Sequence, residues 1–340
     1  MPNPTDRARI GQTDLNVTRL SIGSAPIGNL LSEVSEEDAQ GAFKAAFDAG
    51  VRYVDTAPFY GYGLAENRVG RALANQNRDE FVVSTKVGRL IRPGQRTGTE
   101  IYDGDKSFYL ANPEMCCILD YSYDGAMRSH EDSLERLGLE RVDILHIHDP
   151  DDHFDWAVNG AYKALDRLRS EGTIKAVSAG MNQWEMLSRF MDNGDFDCFL
   201  LAGRYSLLDQ TALAEFLPKC MERGVSIVLG GVFNSGLLAD PKPGITFNYV
   251  EAPQELIDQA IRIGQVCESH GIPLKAAALQ FPLAHPAIAT VLTGVRSAAE
   301  FEENERLFRH SIPDDMWQEL KAEGVLAEEV PVPNNEEKSQ

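Results

Sequence analysis

An aspartate, a tyrosine, a lysine and a histidine stand at the ends of three apolar runs, and together these residue types make a proton-transfer set. The stretch VRYVDTAPFYGYG, residues 51–63, reaches Asp55, turns through Ala57-Pro58 and presents Tyr60 five residues after the acid, flanked by Gly61 and Gly63. FVVSTKVG carries Lys86, and VDILHIHDP ends in His148 followed by Asp149-Pro150. A lysine at the inner end of a buried strand needs a carboxylate or loses its charge, because an unpaired buried ammonium is destabilising by several kcal/mol. Asp55 is the natural partner. A charged Lys86 beside Tyr60 stabilises the phenolate, so Tyr60 can exchange a proton with an alcohol or carbonyl near neutral pH. His148 then donates a hydrogen bond to the same oxygen. Each residue alone reads more readily as structural: an ion pair, a loop aromatic, a satisfied core histidine. Four of them at the exits of three strands point to chemistry.

The elements that must position them follow a regular grammar. Apolar strands near 18–25, 52–57, 81–87, 142–148, 174–180, 196–202, 225–232 and 289–295 alternate with helical segments, several closing on glycine (Gly138, Gly172, Gly194, Gly224, Gly271). Ser35 with Asp38 forms a helix-start signature, and Gly50 stops that helix. Eight βα units predict an α/β fold, a single (β/α)8 TIM barrel. RIGQTDLNVTRL, residues 9–20, predicts a β-hairpin cap before it. Three segments break the rhythm: 89–121, 233–253 and the short 149–156. Barrel active sites are built from such loops at the C-terminal face, so specificity is expected there. Residues 1–329 read as the barrel, and VPVPNNEEKSQ, residues 330–340, as a flexible tail.

Composition excludes several partners. A net charge of −20 over 340 residues argues against nucleic acid and anionic membranes. No apolar run approaches about 18 residues, and no leader precedes the first strand, so a cytoplasmic protein is expected. The five cysteines lack metal-ligand spacing and read as reduced thiols. No GxGxxG follows a strand, which removes a Rossmann domain. The rival reading is zinc hydrolysis, since His146 and His148 form an HxH on a strand with Asp149 and His153 nearby. No second histidine pair supports it: His130, His270, His285 and His310 fall in or near helical segments, so no metal is expected.

VDTAPFYGYGLAENRVGRAL, VVSTKVG and DYSYDGAMRSHEDSLERLGLERVDILHIHDP resemble the aldo-keto reductase superfamily, across roughly residues 7–310. The resemblance implies a catalytic tetrad of Asp55, Tyr60, Lys86 and His148 and a nicotinamide cofactor across the barrel mouth. TGVRSAAEFEEN matches the adenosine-binding segment, with Gly294, Arg296 and Ser297 in the turn beside the ribose and Glu303 and Asn304 at the adenine. Many NADPH-dependent members carry a lysine and an arginine where this chain has Gly294 and Glu300. A glutamate there repels a 2′-phosphate and suits a ribose hydroxyl, which predicts NAD as preferred cofactor, with NADP admitted through Arg296. At the nicotinamide end, Asn182 is the remaining carboxamide partner, Ala202 replaces a glutamine, and Gly230 stands where an aromatic usually stacks. DYSYDGAMRS, LHIHDPDD and GGVFNSGLLA resemble bacterial sugar dehydrogenases acting on L-fucose and D-threo-aldoses, and pyridoxal 4-dehydrogenase. The implied reaction is oxidation of an aldose at C1 to the lactone; the alternatives are pyridoxal hemiacetal to 4-pyridoxolactone, or carbonyl reduction. The implied partner is a small molecule, met by Phe59, Tyr62, Asp149, Trp156 and Phe233. A regulatory subunit is the non-enzymatic alternative, without any added interaction segment. Oligomeric state stays open.

Overall fold

The N-terminal hairpin, β1 (Arg7–Arg9) and β2 (Asn16–Thr18), leads into a closed parallel barrel. The computed structural model describes residues 2–103, 106–247 and 250–334. Barrel strands are β3 (Leu20–Gly23), β4 (Tyr53–Asp55), β5 (Val82–Val87), β10 (Ile144–His148), β11 (Ala176–Met181), β12 (Cys198–Ala202), β13 (Ser226–Gly230) and β16 (Ile288–Gly294). They close in that order, with β16 pairing back onto β3. Both faces of such strands are covered, which is why β5 reads as a run buried at every position.

Helices α1 (Glu36–Asp48), α2 (Leu64–Leu73), α3 (Tyr123–Leu137), α4 (Phe154–Asn159), α5 (Ala161–Ser170), α6 (Trp184–Asn193), α7 (Phe216–Arg223), α8 (Gln254–Ser269), α9 (Leu274–Gln280), α10 (Ala298–Phe308) and α11 (Asp314–Ala322) complete the chain. Ser35 caps α1 as its sequence predicts: its Oγ accepts from the Asp38 N–H at 3.0 Å and donates to the Asp38 carboxylate at 2.7 Å. Gly138 and Gly224 take the left-handed caps expected of them. Gly194 ends α6 differently. Its backbone is extended, and a Cβ there would lie 2.7 Å from the Tyr162 ring, so packing rather than a turn demands glycine.

Inside the barrel the layers change character from one end to the other. At the N-terminal end Tyr53, Val82, Ile144, Ala176 and Cys198 form an apolar cluster that Ile10 and Val17 of the hairpin close off like a plug. Each such aliphatic side chain contributes about 1.5–3 kcal/mol on burial. Toward the C-terminal rim the same inward faces carry Asp55, Ser84, Lys86, His146 and His148. Register aligns them: Asp55 stands opposite Ser84, Lys86 opposite His146, and His146 opposite Ser178.

The interrupting segments fold on that rim. In 89–121, β6 (Arg89–Pro93) pairs antiparallel with β9 (Met115–Leu119), and β7 (Ile101–Asp103) with β8 (Lys106–Ser107). In 233–253, β14 (Thr246–Phe247) pairs with β15 (Val250–Glu251). The flexible tail expected from residue 330 does not begin there: Val330 is 2% exposed and Val332 packs against the core. Two apolar side chains in the proline-rich stretch are enough to dock it; residues 335–340 lie outside the described residues. Among the described residues, no helix is long and apolar enough to cross a membrane.

Candidate active site at the C-terminal rim

β4 delivers Asp55 and then turns, with the Tyr60 N–H donating to Ala57 O at 3.2 Å and the Ala65 N–H to Tyr60 O at 3.1 Å. The turn is set from outside by glycine. A Cβ on Gly28 would sit 2.7 Å from the Tyr60 carbonyl carbon, and one on Gly61, at φ +67°, would sit 2.4 Å from Gly28 O. Lys86 Nζ donates to Asp55 Oδ2 at 2.6 Å and to Thr56 O at 2.8 Å. Ser84 Oγ donates to Asp55 Oδ1 at 2.7 Å and meets Tyr53 OH at 2.9 Å. Burial pushes the Asp55 carboxyl pKa up, while Lys86 and Ser84 pull it back. Lys86 Nζ lies 4.6 Å from the Tyr60 ring centroid, and the His148 ring stands edge-on to Tyr60 at 5.7 Å. The four residues singled out in the sequence therefore meet at one point.

Burial disfavours the charged form of both strand histidines. Burial, then Arg89, Lys86 and His146, pushes His148 well below the ordinary imidazole value; burial, then Lys86, does the same to His146. His148 Nδ1 is buried without a hydrogen-bond partner among the described residues, and Nε2 lies 3.5 Å from the Asp149 carboxylate, which favours the tautomer protonated on Nε2. His146 points inward one pleat deeper, its Nδ1 2.7 Å from Ser178 Oγ and its Nε2 3.5 Å from Asp55 Oδ1. Of the HxH pair, then, only His148 reaches the rim. His153 packs beyond it, against Tyr121 and Trp156. Among the described residues, no three His, Cys, Asp or Glu side chains are placed to share a metal ion.

Several residues that position this set escaped the sequence reading. Glu66 on α2 is fully buried and accepts from Thr85 Oγ1 and Arg136 Nε, both at 2.6 Å, tying the helix after Tyr60 to the strand of Lys86. Arg89 pairs with Asp149 at 3.1 Å and lies over Phe59 at 4.8 Å. Tyr121 OH donates to the carbonyls of His148 and Asp149 at 2.7 and 2.8 Å. Ser84, Thr85 and Glu66 were visible as polar interruptions of apolar patterns; Arg89 and Tyr121 carry no local signal, because their partners are distant in sequence.

Phe59 and Tyr62 pack edge-to-face with each other and with Tyr109, beside Tyr60 and His148. Tyr62 is only 3% exposed, under Arg96, and serves the wall rather than the opening. Trp156 is not brought to this cluster: it is 41% exposed and packs on Tyr121 and His153. The short helix after His148 turns it outward. Phe233 is half-buried, with Lys275 Nζ 5.8 Å from its ring centroid.

Across the mouth the strand ends are bare. A Cβ on Gly230 would meet only Leu200 and Ala202, at 3.8 and 3.9 Å, so the end of β13 is an open ledge with room for a side-chain carbon. Asn182 Nδ2 donates to Ala202 O at 2.9 Å, which leaves its Oδ1 as the acceptor. Ser297 Oγ caps α10 by accepting from the Glu300 N–H at 3.3 Å, and that N-terminus suits phosphate. Gly294 has Pro26 against it: a Cβ would lie 2.7 Å from the proline ring, so a lysine there would require the loop to move. Glu300 accepts from the Arg296 N–H and Nε, each at 2.9 Å. Glu303 pairs with Lys275 at 2.6 Å, and Asn304 is 4% exposed. An open ledge, a helix N-terminus and nearby cations fit a dinucleotide.

A closed parallel barrel with a lysine–carboxylate pair beneath a tyrosine and a buried histidine at its C-terminal rim defines an oxidoreductase acting at a carbon–oxygen bond. The chain belongs to the aldo/keto reductase family, whose model matches residues 19–323. It is 41% identical to pyridoxal 4-dehydrogenase of Microbacterium luteolum, over 95% of this chain and 98% of that protein. It is also 41% identical to D-threo-aldose 1-dehydrogenase of a Pseudomonas species, over 90% of this chain and 94% of that one. In fold it is similar to an aldo-keto reductase from Bacillus halodurans, with a TM-score of 0.74 at 24% identity over 97% of this chain and 99% of that one.

Proposed function

We propose that this enzyme oxidises an aldose of the L-fucose or D-threo type at C1, giving the lactone, with NAD as preferred cofactor. The observation that carries the chemistry is Lys86 Nζ, locked to Asp55 at 2.6 Å and facing the Tyr60 ring at 4.6 Å. Tyr60 acts as general base and takes the proton of the C1 hydroxyl. Lys86, kept charged by Asp55, stabilises the phenolate that does so, and His148 donates from Nε2 to the same oxygen and orients it. The bound nicotinamide supplies the hydride acceptor. Asn182 Oδ1 and the Gly230 ledge would hold its ring, and Ser297, Arg296, Glu300, Glu303 and Asn304 its adenosine end. NAD is favoured because Glu300 already occupies Arg296, the cation that a 2′-phosphate would need.

The second reading is pyridoxal oxidation, favoured by the equal identity to pyridoxal 4-dehydrogenase and by the aromatic wall of Phe59, Tyr62 and Tyr109. Initial rates with NAD or NADP on L-fucose, D-arabinose, L-galactose and pyridoxal separate the two. The aldose reading expects turnover of at least one sugar with NAD, and a Tyr60→Phe rate lower by about 10³-fold or more. Activity surviving in Tyr60→Phe would remove the proposed base.

A further inference from the structure

Asp149, the residue after His148, stands in the left-handed region at φ +40°, where Asp and Asn are the side chains best tolerated. Its backbone is pinned on both sides: its N–H donates to Gly180 O at 3.0 Å, and its carbonyl accepts from Tyr121 OH at 2.8 Å. One carboxylate oxygen, Oδ2, is engaged, 3.1 Å from Arg89 Nη2 and 3.5 Å from His148 Nε2. The side chain nevertheless keeps 31% of its surface exposed, and among the described residues nothing donates to Oδ1. Arg89, buried against Phe59, thus holds a charged acceptor at the rim with one oxygen open, beside the imidazole that meets the reacting oxygen.

We infer that Asp149 accepts the hydrogen bond of the hydroxyl on the carbon next to the reacting one, and so selects a polyhydroxylated substrate over an aromatic one. The inference rests on the aldose reading. In a sugar ring the C1 and C2 oxygens are close neighbours, so an O1 seated on His148 Nε2 brings the C2 hydroxyl toward the carboxylate 3.5 Å from that nitrogen. A neutral hydroxyl donating to a carboxylate makes a charge-assisted bond, stronger than a neutral one. Pyridoxal carries no oxygen on the carbon next to the reacting one, and its nearest ring hydroxyl, one carbon further, is a phenolate in neutral water. Against Asp149 that oxygen meets a like charge, and Arg89 is already committed. Discrimination by an unmet acceptor is also the stronger kind, because a substrate lacking the hydroxyl leaves the site's polar group unpaired.

The test measures kcat/KM with NAD for L-fucose, 2-deoxy-L-fucose and pyridoxal, on the full chain and on Asp149→Asn, which keeps both shape and left-handed backbone. The parent enzyme is expected to prefer L-fucose over its 2-deoxy analogue by about 10- to 100-fold, and Asp149→Asn to close most of that gap while improving pyridoxal relative to L-fucose. Equal kcat/KM for the two sugars on the parent enzyme would overturn the inference alone, without needing a variant. So would Asp149→Asn lowering both sugars by the same factor, the signature of a carboxylate that merely positions His148 or Arg89. Turnover of pyridoxal with silence on every sugar would sink the aldose reading and this inference with it.

Discussion

Two ion pairs of similar length serve different parts of the molecule, Lys86–Asp55 at 2.6 Å inside the barrel on β4 and β5 and Arg296–Glu300 at 2.7 Å beyond the end of β16. Their surroundings differ. Lys86 and Asp55 are 1% and 3% exposed, whereas Arg296 and Glu300 are 55% and 35% exposed. A buried pair cannot lose one member without stranding the other's charge, so it holds its geometry through a catalytic cycle. An exposed pair at a helix start contributes only about 0–1 kcal/mol and yields easily to a ligand or a substitution. The proposed chemistry thus rests on the rigid pair, and the proposed choice of cofactor on the soft one.

Lys86→Met breaks the comparison most severely. It should lower kcat by about 10³-fold or more and destabilise the fold by about 3–5 kcal/mol in urea unfolding. Adding Asp55→Leu should restore much of the stability and none of the activity. A Lys86→Met protein as stable as its parent would show that the pair is not the anchor argued here.

The next effect is a pH dependence led by the two histidines of the barrel interior. His146 and His148 are held below their ordinary value, so the unfolded chain binds more protons in acid than the folded one. Stability is therefore complete above about pH 6.5 and declines as pH falls below it, by up to about 1.4 kcal/mol per pH unit for each histidine. His130 and His285 shift in the same direction and add to the slope. His146→Leu should flatten the curve by its own share, and Glu300→Ala should leave the slope alone. An unchanged slope in His146→Leu would mean that this histidine is already charged in the folded protein.

The smallest effect belongs to the exposed pair. Glu300→Ala should raise the NADP/NAD ratio of kcat/KM by about tenfold, through release of Arg296, with a stability change under about 1 kcal/mol. No change in that ratio would place cofactor choice elsewhere.

Most of the barrel was legible because a strand covered on both faces leaves an apolar run and a stopped helix leaves a glycine. The tetrad was legible for a related reason: a charge such as Lys86 at the inner end of an apolar run demands a partner. The antiparallel ribbons of 89–121 were not, since half-exposed strands with cysteines, arginines and aromatics alternate too weakly to be read. Trp156 was expected in the pocket on residue type alone, and the short helix at Phe154–Asn159 turns it away. Arg89 and Tyr121 needed the fold, because each is defined by a partner on another element.

Gly28 and Gly61 place a practical limit on remodelling this enzyme. Neither glycine carries a reactive group, yet a single methyl on either would push the backbone that presents Tyr60. Libraries built to widen substrate range have latitude at exposed positions of 89–121 and 233–253, such as Leu110, Ile118 and Val250, but not at Arg89, Tyr109 or Tyr121. At these two glycines a campaign would lose turnover while every chemical group stayed in the sequence, and inspection of the pocket side chains would not reveal the cause.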